Sequence, residues 1–160
     1  MRRKWGLVFT LAVLGGAALH FLYDVWPNPL TAVLAPVNES VWEHLKLLYW
    51  PFLMAGFVLC FRAADAPRAW SGFLLAQLVM PAAMLGTYYT LRACFGVHAL
   101  WLDVTLYYLV LALGFWLAYR LHRSGRLAFL AGVLVSLVGL YGAALVLFTM
   151  APPELPIFAS

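Results

Sequence analysis

Long, nearly unbroken apolar runs alternate along this chain with short polar breaks. Five runs stand out, at roughly residues 5–26, 40–61, 70–91, 100–120 and 127–150. Each approaches the ~20 apolar residues that a helix needs to cross the hydrocarbon core of a bilayer. The breaks carry turn chemistry: WPNPL after the first run, AADAPRAW after the second, HRSGR after the fourth and APPELP after the fifth. In lipid a segment must satisfy its own backbone hydrogen bonds, so the runs read as helices and not as lone strands. The pattern predicts an all-α polytopic integral membrane protein, a single domain built as a bundle of about five transmembrane helices.

Composition strengthens this reading. The 160 residues are 66% hydrophobic, 16% aromatic and only 10% charged, with a mean hydropathy of +0.92, outside the range of soluble globular domains. The net charge of +4 does not indicate nucleic acid, because the basic residues sit at the ends of apolar runs and not on one soluble face. The N-terminal MRRKWGLVFTLAVLGG has the basic start and apolar stretch of a signal peptide. Its apolar run continues to Trp26 with no clean small-residue cleavage site, so it reads as a retained first span.

Charge also orients the chain. Arg2, Arg3 and Lys4 precede the first run, Arg62 and Arg68 lie between the second and third, and Arg120, Arg123 and Arg126 between the fourth and fifth. With an odd number of spans all of these fall on one side, which the positive-inside rule makes the cytoplasm. The N-terminus is then expected inside and the C-terminus outside, in a cytoplasmic membrane. Lys46 and Arg92 remain on the outer side. Asp24, Glu39, Glu43, Asp103 and Glu154 map there too, against Asp65 alone inside. Acids contribute little to insertion, so their bias marks the outer end as chemically distinct. Cys60 and Cys94 fall near opposite membrane faces, too far apart for a disulfide, and lack metal-ligand spacing.

The densest polar stretch is PVNESVWEHLK, from Pro36 to Lys46. Part of it is helix-start chemistry. SVWE forms a capping box, with the Ser40 hydroxyl accepting from the Glu43 amide and the Glu43 carboxylate returning to the Ser40 amide. Trp42 suits the interfacial aromatic belt, and Lys46 can snorkel back to the outer surface. Capping leaves Asn38, Glu39 and His44 unexplained. Other polar groups lie at the same level: His20 and Asp24 one turn apart near the end of the first run, Tyr88, Tyr89, Thr90 and Arg92 at the end of the third, and His98 and Asp103 at the start of the fourth. Ionisable groups inside spans are costly and usually face a bundle interior or a wet cavity. Pro51 and Pro81 free the carbonyls of Leu47 and Gln77, and read as packing kinks or as bends that open a cavity. Gly132, Ser136, Gly139 and Ala143 put small residues on one face of the fifth run, suited to close packing within the bundle or to a homo-oligomer.

The strings LHFLYD, PVNESVWEHLK and a C-terminal PP-x-LP-x-F together resemble a family of small bacterial multi-pass membrane proteins known only as a domain of unknown function. His20 and Tyr23 match its first motif. Asn38, Glu39, Ser40, Trp42, Glu43, His44 and Lys46 match the second. Tyr89 and Asp103 fall where that family has a tyrosine and an aspartate, and Pro152, Pro153, Leu155, Pro156 and Phe158 match its tail. Members usually continue past that phenylalanine with an Asp-Pro and a Thr-Gly-x-Tyr-Gly segment, which the sequence to Ser160 does not include. The resemblance implies a membrane fold and no activity.

Three functions fit these residues. In the first the protein is a membrane-embedded, hydrolase-like enzyme open to the outer face, acting on a lipid or amphiphile. Its metal version takes His20, His44 and one or more of Glu39, Asp103 and His98 as ligands for zinc or another divalent ion, with Glu43 as general base. Its metal-free version pairs Glu43 or Glu39 with His44 as acid and base. Asn38, Ser40, Lys46, Tyr23, Tyr89 and His98 would contact the ligand. Neither zinc-protease order is present: WEH is not HExxH, and HxxEH would need a histidine where Ser40 stands. In the second, the same cluster binds or transports an ion or small solute. The lack of an internal repeat argues against an inverted-repeat transporter. In the third, the motif is an ion-paired lock in a structural or assembly factor.

Overall fold

The computed structural model describes residues 2–61 and 63–159. Arg62 and the side chain of Arg2, both used above to orient the chain, lie outside the described residues. Helices occupy all five apolar stretches: α1 (Arg2–Val25), α3 (Val41–Cys60), α4 (Ala66–Phe95), α5 (Leu100–Ser124) and α6 (Ala131–Met150), the last preceded by a 3-10 turn at Ala128–Leu130. A sixth, α2 (Pro29–Leu34), lies in what the apolar pattern left as a turn. It forms because Asn28 and Thr31 make a reciprocal capping box and Pro29 pre-sets the first turn.

Among the described residues, four helices are long and apolar enough to cross a membrane: Arg3–Val25, Ala66–Phe95, Leu100–Ser124 and Ala128–Met150. Their outward faces carry exposed large apolar side chains such as Leu7, Leu11 and Leu14 of α1, Leu109 and Trp116 of α5, and Val133, Leu140 and Leu147 of α6. That surface suits hydrocarbon, and the chain is an integral membrane protein. Helix α3 differs. It is 20 residues long, roughly 30 Å at the helical rise, but carries its polar groups at one end and is wrapped by α1, α4, α5 and α6. Its Leu45, Leu48, Phe52 and Cys60 are buried in the common core with Phe73, Met80, Leu111 and Leu145.

Successive long helices run antiparallel. At one end the start of α1 meets the start of α4 and the end of α5: Trp5 stacks on Phe73 with ring centroids 5.4 Å apart and meets His122 edge-on, and Arg68 donates to the Arg123 carbonyl at 2.9 Å. At the opposite end α1 finishes beside the start of α3, and α6 finishes beside it too. Helix α4 starts on the Asp65 side-chain cap and stops at Gly96, and α5 stops at Gly125. Both glycines adopt left-handed φ, +63° and +65°, which a residue with a Cβ adopts only at a cost.

Close packing uses glycines the sequence reading did not single out. A Cβ on Gly72 would meet backbone atoms of His122 and Ala118, one on Gly114 the Met80 side chain, and one on Gly142 the Tyr49 hydroxyl. Gly132 and Gly139 instead have nothing within 4 Å, and Ser136 and Ala143 are exposed, so the small-residue face of α6 is not used inside the bundle. Helices α3 and α4 continue through Pro51 and Pro81. The carbonyl that Pro51 releases, on Leu47, lies beside Gly16 of α1.

Candidate metal centre

The PVNESVWEHLK stretch divides between two faces of the start of α3. Ser40 caps the helix, its hydroxyl accepting from the Glu43 amide at 3.3 Å. The reciprocal half of the expected capping box is absent. The Ser40 amide donates to the Asn38 side chain at 2.9 Å, and the Glu43 carboxylate goes elsewhere. Its Oε2 accepts from the Val37 amide at 3.0 Å and from Lys46 Nζ at 2.6 Å. Its Oε1 accepts from the Thr149 hydroxyl of α6 at 2.7 Å.

Lys46 does not snorkel to the surface, as its place in the helix suggested. It is fully buried. Its ammonium donates to the carbonyls of Ala32 at 2.7 Å and Ala35 at 3.2 Å as well as to Glu43. These carbonyls close the C-terminal turn of α2, where a cation satisfies orphan acceptors and complements the helix dipole. Three donors thus meet three acceptors, and the pair carries no unsatisfied charge. Trp50 adds a hydrogen bond from Nε1 to the Val33 carbonyl at 3.0 Å. Trp42 packs against Phe148 and the tail residue Phe158, with centroids 5.4 and 5.0 Å away.

The other face looks into a pocket of about 420 Å³ enclosed by α1, α3, α4 and α5, within the size range of ligand sites. Here His20, Glu39 and His44 each offer one ligand atom, all within 4.8 Å of one another. The two imidazole centroids are 5.2 Å apart. His44 Nδ1 donates to the Ser40 carbonyl at 2.8 Å. Its Nε2 faces Glu39 Oε2 at 3.4 Å, a relation that calls for a proton or a cation between the two. His20 Nδ1 is buried and has no protein partner.

This donor set fits a divalent ion. Two imidazoles with one carboxylate and a free position is a catalytic-type set for zinc or iron, and a ligating histidine whose other nitrogen donates to a backbone carbonyl is the usual supporting arrangement. Tetrahedral ligands about 2.0–2.2 Å from zinc stand about 3.4 Å apart. Bringing all three donors to that spacing calls for side-chain shifts of roughly an ångström, and the Glu39 side chain, 76% exposed, has room to move.

Asp103 and Arg92 lie on the same pocket wall. Arg92 Nη2 donates to Asp103 Oδ2 at 2.9 Å, Nη1 donates to His98 Nδ1 at 2.9 Å, and the guanidinium sits 4.3 Å from the centroid of Tyr88. Asp103 and His98 are therefore held by Arg92, while the three-donor group consists of His20, Glu39 and His44. Glu43, Ser40 and Lys46 do not line the pocket. Nor do Asn38, Tyr23 and Tyr89; Tyr89 is exposed, with its ring against Tyr88.

Sequence reasoning missed two wall residues and one partner. Tyr107 reaches the pocket with a buried, unpartnered hydroxyl, directly beside Gly16. Nothing in the apolar pattern distinguishes Gly16 from the exposed Gly6. Thr149, the partner of Glu43, sits 106 residues further along the chain and looks like an ordinary hydroxyl in a span.

The chain belongs to a family of unknown function (DUF6512), whose sequence pattern covers residues 1–160. This agrees with the resemblance carried by the motifs. No curated protein and no solved structure matches the chain significantly.

Proposed function

We propose that this membrane protein is a metal-dependent, hydrolase-like enzyme whose site opens at the outer face and acts on a lipid or amphiphile. The observation that carries the reading is the His20–Glu39–His44 group: three donors within 4.8 Å, one of them oriented by the Ser40 carbonyl, at the wall of a mostly apolar pocket. A divalent ion there would act as a Lewis acid toward an ester or phosphoryl oxygen. His20 and His44 hold it from α1 and α3, and Glu39 supplies the charged ligand from the loop before α3. Glu43 takes no part in this chemistry, because three donors already occupy its carboxylate. Its role and that of Lys46 is the lock that fixes the loop carrying Glu39, which gives the structural reading of the motif its place beside the catalytic one.

The orientation supports an outer site. Arg3, Lys4, Arg68, Arg120, Arg123 and Arg126 lie at the end of the bundle away from the His20–Glu39–His44 group, so the positive-inside rule puts that group outside. On this reading α3 crosses the membrane as a fifth, protein-wrapped span. The test is zinc or manganese titration of metal-stripped protein in mild detergent, followed by assay on chromogenic short-chain esters and phosphodiesters. One ion per chain, with hydrolysis lost on chelation and in His20→Ala, is expected. Stoichiometric metal with no hydrolysis of any ester would instead support an ion-binding role.

A further inference from the structure

The metal-ligand group accounts for one side of the pocket and leaves Arg92 unexplained. Helix α4 brings this arginine into the same pocket from the last turn before Gly96. Two of its five N–H donors are spent, on Asp103 and His98. Its Nε is buried with no partner. A guanidinium held on one edge by an acid and on its face by Tyr88 is fixed in position with donors to spare, the arrangement that suits bidentate capture of an oxyanion.

Charge balance points the same way. Glu39 and Asp103 against Arg92 leave the pocket wall with one net negative charge. A divalent ion on His20, Glu39 and His44 reverses this to one net positive charge, with both imidazoles neutral as ligands. The remaining wall is apolar: Ala17 and Phe21 of α1, Met84 of α4, Leu100 and Val104 of α5. Phe21 and Leu100 are 61% and 79% exposed, so the apolar rim between α1 and α5 faces the surrounding hydrocarbon and not the bundle.

Resting on the metal-site reading, we infer that the pocket takes a monoanionic amphiphile, whose oxyanion group lies between Arg92 and the metal position and whose acyl chain leaves between α1 and α5 into the outer leaflet. A phosphodiester headgroup and a fatty carboxylate share this chemistry.

The experiment uses the full chain in an uncharged detergent, loaded with zinc. Its metal content is measured, and calorimetry follows dihexanoylphosphatidylglycerol, laurate, neutral dihexanoylglycerol and chain-free glycerophosphoglycerol. Both anionic amphiphiles, or the phosphodiester alone, are expected to bind about 10- to 100-fold more tightly than the neutral lipid, and glycerophosphoglycerol more weakly than its acylated form, the phosphatidylglycerol. Arg92→Gln is expected to abolish the preference with metal content unchanged, which also reports that the variant is folded. Asp103→Asn, which releases Arg92, is expected to strengthen anion binding. Chelation is expected to remove the preference by restoring the negative wall. Metal-loaded protein that binds anionic and neutral lipids alike, or keeps its preference in Arg92→Gln, overturns the inference while the metal site stands. Wild type that takes up no zinc overturns the metal reading itself, and an anion preference persisting in metal-free protein overturns the charge argument.

Discussion

Replacing Lys46 by Met removes the cation at the centre of the α2–α3–α6 junction while keeping most of the side-chain length. The ammonium is fully buried and donates at 2.6, 2.7 and 3.2 Å. Its loss strands the Glu43 carboxylate, itself only 2% exposed, with two neutral donors and no countercharge. It also orphans the carbonyls that end α2. Removing one partner of a buried pair costs about 3–5 kcal/mol, and that is the loss expected for Lys46→Met. The double variant Glu43→Gln/Lys46→Met has no stranded charge, so about 1–3 kcal/mol should be recovered relative to the single change. Unfolding free energies in mixed micelles titrated with denaturing detergent measure both. A Lys46→Met cost below about 1 kcal/mol, the size of an exposed pair, would refute the lock and restore a lysine that reaches the surface.

Thr149→Val removes the hydroxyl on Glu43 Oε1 and is expected to cost about 1.5–3 kcal/mol, the range for a hydrogen bond to a charged group, in the same titration. Gly16→Ala forces a Cβ against the Tyr107 hydroxyl and the Leu47 carbonyl and is expected to cost about 1–3 kcal/mol. Tyr107→Phe removes a hydroxyl that has no partner, so it should be near neutral alone and recover part of the Gly16→Ala loss. Cysteine labelling with an impermeant reagent in intact cells should modify Cys94, exposed at the end of α4, if the candidate site faces outward. Protection of Cys94 with labelling only after lysis would reverse the orientation.

The helices were legible because hydrocarbon imposes a strong pattern: a span must be apolar and about 20 residues long. α2 was not, because six residues held by an Asn28–Thr31 box carry no apolar period and their stability comes from contacts made later in the chain. The polar cluster at one end of the bundle was legible as a set of costly ionisable groups at one level, but not in its partition. His44 and Lys46 are two residues apart, which on a helix sends them to different faces, and only the fold reveals that one faces a pocket and the other the end of α2. Glu43 looked like the reciprocal half of a capping box because that local partner is available to it. The Lys46 ammonium, with the Val37 amide and the Thr149 hydroxyl, takes that carboxylate instead. Asp103 read as a metal ligand because it shares a level with the histidines, whereas the last turn of α4 sets Arg92 against it.

One eleven-residue motif divides between a candidate metal site on one face and a structural lock on the other. Elemental analysis of purified wild type, His44→Ala and Glu43→Gln, each alongside its unfolding free energy, tests that division most directly. Near-stoichiometric metal in wild type, lost from His44→Ala and retained in a destabilised Glu43→Gln, is the expected result. Metal absent from all three, or lost equally from both variants while His44→Ala is as destabilised as Glu43→Gln, would contradict it.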